Sequence, residues 1–417
     1  MSDDATMHHD LTKDHAARAR ARLVVPNGMY GHQNANGLPD GFPQFIARAE
    51  GARLWDLDGN EYVDMLCGYG PMIVGYGHPG VEAAVARQRA SNDASNGPGF
   101  VMVELAELLV DTVEHADWAV FAKNGTDATT TCVTIARAAT GKRKILVAEG
   151  AYHGAAPWCT PNPNGVVAED RAHLAKFRYN DIASLRAAVA EAGDDLAGVV
   201  VSPFRHDARH DQELVDPDFA RALRALCDVA DAALILDDVR CGFRMAFGGS
   251  WEPIGVQPDL SAWSKAIANG HPLAAVLGNE RFREGAGKIY VTGSFWFAAA
   301  PMAAAIATIT ALRDENGLTT LIRAGDQLRE GLALQAKSHD LTVNLTGPSQ
   351  MPLLTFADDA EFAKANLWSS TAARHGAYFH PWHNWFTSAA HTEADIDRAL
   401  AASEVGFAAV RAAFGAE

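Results

Sequence analysis

Short apolar runs that end in polar or charged residues recur along the chain and predict a sheet of buried strands. The runs at residues 144–148, 197–202, 233–236 and 259–263 are too short for helices and are bounded by turn-forming residues. Amphipathic helical patterns alternate with them at 102–112, from about 125, and at 216–231. Strand, helix and strand in succession indicate parallel pairing, because a parallel connection needs a crossover.

The two ends of the chain have a different pattern. Residues 46–65 alternate around a DLDGN turn and predict a β-hairpin, whereas residues 24–45 are rich in Gly, Pro and Asn and predict an ordered loop. The first 22 residues are polar, and we expect them to be frayed. From about residue 318 the pattern predicts a small α+β region, whose last helix is capped by Thr392 with Asp395 three residues later. We therefore expect an N-terminal segment and hairpin (1–75), a large domain (76–317) and a C-terminal small domain (318–417).

Length and charge narrow the class of protein. At 417 residues the chain is long enough for one large and one smaller domain. A formal net charge of −16 argues against binding to nucleic acid or to an anionic membrane, which requires a basic face. Five widely spaced cysteines without a CxxC pair favour a reducing compartment, and no apolar stretch has the length of a membrane span. We expect a cytoplasmic protein.

Two residues at predicted strand ends carry the candidate chemistry. Asp237 follows the run ALIL, and Lys265 follows the run DLSAW. Parallel sheets place ligands and chemistry at the carboxyl ends of their strands. A carboxylate and an amine at this edge suit a pyridine cofactor, because the carboxylate keeps the ring nitrogen protonated and the amine binds the aldehyde as an imine.

The same stretch resembles a known family. In class III (fold type I) aminotransferases, two aliphatic residues precede an Asp, an acidic residue, Val and then Gly-Phe-Arg, with the cofactor lysine further on. The matching residues are Asp237, Asp238, Val239, Gly242, Phe243, Arg244 and Lys265. The hairpin and the closing segment SAAHTEADI also match, and the resemblance is closest to the glutamate-1-semialdehyde 2,1-aminomutase branch. It implies an α/β fold with a doubly wound, mostly parallel large-domain sheet, a smaller α+β domain, pyridoxal 5'-phosphate as cofactor, and a homodimer with shared active sites.

The resemblance also implies a set of cofactor contacts. Asn124, Gly125 and Thr126 stand where the family binds the cofactor phosphate, at the start of a helix whose free N–H groups attract anions. Asn124 replaces the family's serine, and a plain capped helix start remains the alternative interpretation of this loop. The other implied contacts are Tyr152 stacking on the ring, Asp207 near the ring hydroxyl, and Ser294 reaching the phosphate of the neighbouring subunit.

Five residues are implied in substrate binding. They are Tyr69, His153, Arg205, Trp296 and His380. Arg205 could bind a substrate carboxylate through its forked donors, although a solvated loop arginine is an equally good interpretation. His206 and His210 have the spacing of metal ligands, but they follow a proline in a loop, and we expect no metal.

The function predicted from these residues is that of a pyridoxal phosphate-dependent aminotransferase. We expect it to move an amino group from a small-molecule amine donor, with glutamate as the expected donor, to a ketone or aldehyde acceptor in secondary metabolism. A 2,1-aminomutase or racemase is the alternative enzyme. A non-catalytic paralogue that binds the cofactor is the third hypothesis.

Overall fold

The structure, a computed structural model, describes residues 9–415, which form two compact units. Unit 1 contains the residues up to His78, Ala208–Asp211 and the residues from Thr319 onward. Unit 2 contains Pro79–Asp207 and Gln212–Leu318. The predicted boundaries, after residues 75 and 317, lie within three residues of these. The sequence did not indicate that four residues, Ala208–Asp211, belong to the smaller unit.

The described residues contain thirteen strands and eleven α-helices. The strands are β1 (Ile46–Glu50), β2 (Arg53–Asp56), β3 (Glu61–Asp64), β4 (Trp118–Ala122), β5 (Lys144–Ala148), β6 (Leu174–Phe177), β7 (Leu196–Val201), β8 (Ala233–Asp237), β9 (Leu260–Trp263), β10 (Ala274–Gly278), β11 (Val343–Thr346), β12 (Leu353–Phe356) and β13 (Ala377–Tyr378). The helices are α1 (Thr12–Val24), α2 (Pro79–Ser91), α3 (Val101–Thr112), α4 (Gly125–Thr140), α5 (Ile182–Ala192), α6 (Pro217–Val229), α7 (Glu280–Lys288), α8 (Ala299–Asp314), α9 (Gly317–Ser338), α10 (Ala363–Arg374) and α11 (Glu393–Phe414).

A seven-stranded sheet forms the centre of unit 2. Its strand order is β4-β10-β9-β8-β7-β5-β6. The pairs β9/β8, β8/β7, β7/β5 and β5/β6 are parallel, whereas β10 is antiparallel to both of its neighbours. The predicted α/β class and mostly parallel sheet are confirmed, and β8 and β9 are adjacent as expected.

Helices cover both faces of this sheet, which explains why its strands are apolar on both sides. In β5, Ile145 and Val147 pack in one cluster with α4 and α7, while Leu146 and Ala148 pack in another with α5 and α6. Successive side chains of a strand point to opposite faces, so a strand covered on both faces reads as a continuous apolar run.

Unit 1 has a four-stranded sheet of order β1-β2-β3-β13 and a separate β11-β12 pair. The hairpin predicted at 46–65 is present as β1, β2 and β3, and the late strand β13 pairs in parallel with β3. Helices α9, α10 and α11 contribute to the apolar core of this unit. The predicted cap of the last helix is confirmed, because Thr392 and Asp395 form a reciprocal capping box.

The prediction for the N-terminal 22 residues is wrong in its second half. Residues 12–24 form α1, although their sequence has little apolar periodicity. The helix is held by a polar group, because the buried carboxylate of Asp14 accepts hydrogen bonds from the backbone N–H of Gln44 and Phe45 and from Arg18. Residues 1–8 lie outside the described part of the chain. No helix within residues 9–415 has the length and apolarity to span a membrane.

Candidate active site

Asp237 and Lys265 lie at the ends of two adjacent strands of unit 2. Asp237 is the last residue of β8 and is paired in register with Ala262 of β9. Lys265 lies three residues after Ala262. Lys265 has φ of +48°, in the left-handed region that side chains disfavour. Such a conformation costs on the order of 1 kcal/mol or more and persists only where the surroundings impose it.

The environment of Lys265 favours its neutral amine. Burial, followed by the positive charge of Arg240, lowers the pKa of Lys265 to about 7 against the opposing effect of Asp237. An amine that loses its proton near neutral pH can act both as a nucleophile and as a base.

The carboxylate of Asp237 is held by two contacts. Oδ2 lies 2.7 Å from Nδ1 of His153, and Oδ1 accepts a hydrogen bond of 3.2 Å from the backbone N–H of Val239. A carboxylate can only accept, so the imidazole donates from Nδ1. His153 itself is 3% exposed and stacks against Trp158 with ring centroids 6.5 Å apart. The sequence placed His153 among the substrate contacts, but the structure turns its ring onto Asp237.

The second acidic residue of the motif is also buried. The carboxyl of Asp238 accepts hydrogen bonds from the hydroxyl and the backbone N–H of Ser250. Burial raises the pKa of Asp238 to about 7, although the bonds from Ser250 oppose the shift. Asp238 therefore anchors the 249–250 loop to the end of β8.

The predicted phosphate loop forms the N-terminus of α4. Asn124 caps this helix: its side-chain oxygen accepts from the N–H of Asp127 at 3.0 Å, and its amide donates to Asp127 Oδ2 at 2.9 Å. The capped helix start that the sequence left as an alternative is thus present. A cap does not conflict with anion binding, because the N–H groups of the first turn still point out of the helix.

Two glycines allow this loop to pack closely on neighbouring turns. A Cβ on Gly125 would lie 2.6 Å from Val239 Cγ1, in the turn that follows Asp237. A Cβ on Gly154 would lie 2.6 Å from Thr126 Oγ1, and the Thr126 hydroxyl also accepts from the N–H of Ala155 at 3.0 Å. The turns after β4, β5 and β8 therefore converge.

Arg205 and Asp207, for which the sequence suggested separate roles, pair with each other. Nε of Arg205 donates to Oδ2 of Asp207 at 2.8 Å. The same carboxylate occupies space that a side chain at Gly150 would need, since a Cβ there would lie 2.5 Å from Asp207 Oδ2. Tyr152 is 38% exposed, and its pKa is raised by burial.

The predicted residues of the 289–302 segment have unlike surroundings. Ser294 is exposed in a turn. Trp296 is partly buried against the apolar cluster that contains β4, β9 and β10, and a Cβ on Gly293 would lie 2.3 Å from its Cδ1. Packing therefore accounts for much of the surface of Trp296.

The remaining predicted substrate residues, Tyr69 and His380, lie in unit 1. They belong to what we call the ring cluster: His32, Tyr69, His380 and His383. Tyr69 has ring-centroid distances of 4.5 Å to His32, 5.3 Å to His383 and 6.0 Å to His380. The Tyr69 hydroxyl donates to the carbonyl of His32 at 2.7 Å, and burial lowers the pKa of His380 to about 3.

The donor set of unit 2 fits pyridoxal phosphate. An anion-binding helix start, a buried carboxylate for a ring nitrogen and an amine with a lowered pKa suit the phosphate, pyridine and aldehyde groups, respectively. Within residues 9–415 no group of three or more His, Cys, Asp or Glu side chains is arranged to hold a metal ion.

Comparison with known proteins gives the family. Residues 39–387 match the family described as Aminotransferase class-III. The chain belongs to the class-III aminotransferases. The resemblance inferred from the motifs is confirmed, and this aminotransferase uses pyridoxal phosphate.

Individual relatives support the same assignment. The aminopentol aminotransferase of Sphingopyxis macrogoltabida is 49% identical over 399 residues, which cover 96% of this chain and 94% of that protein. The FumI protein of Sphingopyxis sp. MTA144, solved as its PLP internal aldimine form, matches with a TM-score of 0.96 and 48% identity over 97% of this aminotransferase and 98% of that chain. A glutamate-1-semialdehyde-aminomutase of Pseudomonas aeruginosa PAO1 has a TM-score of 0.85 over 97% and 96% of the chains; at 22% identity it shows the shared fold alone.

Sequence reasoning passed over two residues of this aminotransferase. Arg240 is 8% exposed and donates from Nη1 to the carbonyl of His206 at 3.0 Å. His32 contributes to the ring cluster from a short 3-10 helix, Gly31–Gln33. Arg240 could have been found, because it stands three residues after Asp237 within the most specific motif. No local pattern marks His32.

Proposed function

We propose that Lys265 and Asp237 are the catalytic residues of this aminotransferase. Pyridoxal phosphate, when bound, supplies an aldehyde that condenses with amines and a ring that withdraws electrons from the adjacent carbon. The carboxylate of Asp237 holds a proton on the ring nitrogen. Nζ of Lys265 would give up the aldehyde carbon to the substrate amine. It would then take the proton from the amine-bearing carbon of the substrate and deliver it to the former aldehyde carbon. The lowered pKa of Lys265 supports this role.

In this proposal His153 is a positioning residue for Asp237. Its Nδ1 fixes one carboxylate oxygen at 2.7 Å, and the stack on Trp158 fixes the ring. Asn124, Gly125 and Thr126 hold the phosphate at the start of α4, while Tyr152 packs on the ring. Asp207 orients the region of the ring hydroxyl and is itself held by Arg205.

We propose that the substrate is a primary amine on a hydroxylated carbon chain. The observation that carries this proposal is 49% identity, over nearly the whole chain, to a protein named aminopentol aminotransferase. The ring cluster is consistent with it, because imidazole and phenol groups exchange hydrogen bonds with hydroxyls. Arg205 already pairs with Asp207, which weakens its case as the anchor of a substrate carboxylate.

The reaction follows from the substrate class. The amine of the polyol and the carbonyl of an α-keto acid exchange nitrogen for oxygen, giving a ketone and an amino acid. In the reverse direction glutamate donates the amino group to the polyol ketone, as the sequence analysis expected. The reaction balances, because one amine and one carbonyl are consumed and one amine and one carbonyl are formed.

The experiment is a substrate panel with mass detection. The cofactor-loaded enzyme is incubated with a long-chain amino polyol, the same chain without hydroxyls, and simple α-amino acids, each with 2-oxoglutarate. We expect the amino polyol to give its ketone and glutamate with the highest kcat/KM. Turnover of α-amino acids alone would overturn the substrate class but not the aminotransferase assignment.

A half-reaction experiment distinguishes an aminotransferase from the isomerase alternative. With the amine alone and no carbonyl acceptor, an aminotransferase releases one equivalent of ketone per active site and then stops. An aminomutase or racemase would instead turn over many equivalents of its amine per active site and leave the nitrogen on the product.

We propose that the enzyme is a homodimer that completes each active site across its interface. Phe100 (71%), Tyr290 (91%) and Phe295 (67%) are the most exposed aromatic side chains of unit 2 within the described residues. Their segments are adjacent, since the N–H of Ala299 donates to the carbonyl of Asp93 at 3.2 Å. Apolar side chains in such a patch favour protein association. Sedimentation of the full chain should give twice 44.5 kDa; a monomer at micromolar concentration would contradict the proposal.

We propose a cytoplasmic location. All five cysteines are free thiols in the structure, which agrees with a reducing compartment. Fractionation of cells that carry a tagged full-length chain tests this, and recovery from an oxidising compartment would refute it.

A further inference from the structure

Arg240 is a buried charge for which the family assignment and the proposed mechanism give no role. Its residue is 8% exposed, and its Nη1 donates to the carbonyl of His206 at 3.0 Å. A guanidinium stays charged at every physiological pH, and its removal from water is unfavourable unless other interactions offset the loss. A fixed cation in this part of unit 2 therefore acts on the groups around it.

The sheet register places Arg240 and Lys265 on neighbouring turns. Asp237 of β8 is paired with Ala262 of β9, and the two strands run parallel. Arg240 lies three residues beyond Asp237, and Lys265 lies three residues beyond Ala262. Both residues therefore lie at the same edge of the sheet, in the segments that follow two adjacent strands.

The influence of Arg240 on the pKa values of Lys265 and His206 is consistent with its position on the turn next to Lys265. After burial itself, Arg240 is the strongest influence that lowers the pKa of Lys265, and it also lowers the pKa of buried His206. Among the other groups that act on Lys265, Asp237 and Cys241 raise its pKa and Arg244 lowers it, and buried His206 also interacts with Lys265. Burial is the largest of these influences on the pKa of Lys265, and the two arginines add to it against Asp237.

We propose that Arg240 is a positioning residue that keeps Lys265 in its neutral amine form by placing a fixed positive charge beside it. The amine can then form a bond to a carbonyl carbon, or accept a proton from the reacting carbon, without first losing a proton to solvent. Loss of this charge would leave the carboxylate of Asp237 less opposed, so a larger share of Lys265 would be protonated at neutral pH. His206 contributes by fixing the guanidinium through its backbone carbonyl.

The test measures the protonation of Lys265 in the full chain freed of cofactor. Trace acetylation with acetic anhydride across a pH series, read by mass spectrometry of the Lys265 peptide, gives the pH at which the amine becomes reactive. Arg240→Gln keeps a donor for the His206 carbonyl and removes the charge, whereas Arg240→Lys keeps the charge. We expect the midpoint of Arg240→Gln to rise by on the order of one pH unit, and that of Arg240→Lys to stay near the wild type.

A matched control distinguishes loss of the Arg240 charge from a general loosening of the packing. Arg224 is another partly buried arginine of unit 2, bonded to Asp259 at 2.8 Å, and it is not among the groups that act on Lys265. Arg224→Met should leave the Lys265 midpoint unchanged. An unchanged midpoint in both Arg240→Gln and Arg240→Met would overturn the proposal. So would equal shifts in Arg240→Lys and Arg240→Gln, or a shift of the same size in Arg224→Met.

Discussion

Two regions of the protein carry the residues predicted to be functional, and they are built differently. The strand-end site of unit 2 (Asp237, Asp238, Arg240 and Lys265) contains charged groups from turns that follow adjacent strands. The ring cluster of unit 1 contains aromatic and imidazole rings from three separate segments, and burial holds His380 in its neutral form through a pKa of about 3.

The difference teaches how each region can act. Buried charges shift one another's pKa values, so the strand-end site is suited to holding and moving protons. Neutral rings offer hydrogen bonds and apolar surface without moving charge, so the ring cluster is suited to recognising a substrate. Substitutions in the first region should reduce kcat, and those in the second should mainly change KM.

The largest fall in kcat should follow removal of the Lys265 amine. Lys265→Ala should reduce kcat by at least about 1,000-fold, because it removes both the nucleophile and the proton carrier. Borohydride treatment and mass spectrometry should then find no cofactor fixed at this position. Lys288→Ala, which removes an exposed lysine paired with Glu284, is the matched control and should retain activity. Comparable activity of the two variants would remove Lys265 from the mechanism.

A smaller fall in kcat should follow removal of the Asp237 carboxylate. Asp237→Ala should lower kcat by about 100-fold or more and weaken cofactor retention, since the ring nitrogen loses its partner. Stopped-flow absorbance and equilibrium dialysis measure the two effects. Asp218→Ala, at an exposed carboxylate of α6, is the control. A wild-type rate would show that the ring does not depend on this group.

The free energy of unfolding should show the cost of the buried amine. The pKa of Lys265 is about 7 in the folded chain and near 10.4 when unfolded, so between these values the unfolded chain binds more protons. The cofactor-free wild type should therefore gain about 2 kcal/mol of stability relative to Lys265→Ala between pH 7 and pH 9. Urea unfolding at both pH values measures this change. An equal difference at the two pH values would mean that the amine is not shifted.

Removing His153 as the hydrogen-bond donor to Asp237 should reduce kcat moderately. His153→Phe keeps the stack on Trp158 but removes the donor at 2.7 Å, and should reduce kcat about tenfold. The loss should not add to that of Asp237→Ala, because one residue acts through the other. Fully additive losses in the double variant would give His153 an independent role, such as the substrate contact that the sequence suggested.

The smallest effect should come from the ring cluster. Tyr69→Phe removes the hydroxyl that donates to the His32 carbonyl at 2.7 Å, a bond worth about 1 kcal/mol. We expect KM for an amino polyol to rise about fivefold while kcat stays within about twofold. Steady-state kinetics should be measured on the polyol and on an unhydroxylated amine. A rise in KM for the polyol alone indicates recognition of its hydroxyls, whereas a rise for both indicates a general structural effect. A fall in kcat without a change in KM would contradict the comparison of the two regions.

Much of the fold was predictable because the strands of unit 2 are short, apolar and locally bounded. Strand β5 has the predicted bounds, and the parallel neighbours β8 and β9 follow from strand and helix alternation. Helix α1 was missed because a single buried carboxylate, Asp14, holds it through bonds to residues 44 and 45. The pairing of β13 with β3 was also missed, because it joins segments separated by most of the chain.

The sequence by itself determined the family, the cofactor and the pair of residues at the strand ends, because each motif is local and strand order fixes where it lies. Only the tertiary structure decided which partner each side chain has: His153 with Asp237, Arg205 with Asp207, and Arg240 with the carbonyl of His206. The reason is physical. Hydrogen bonds and charge effects act over a few ångströms in space, and the residues that come within that range are set by how distant segments pack.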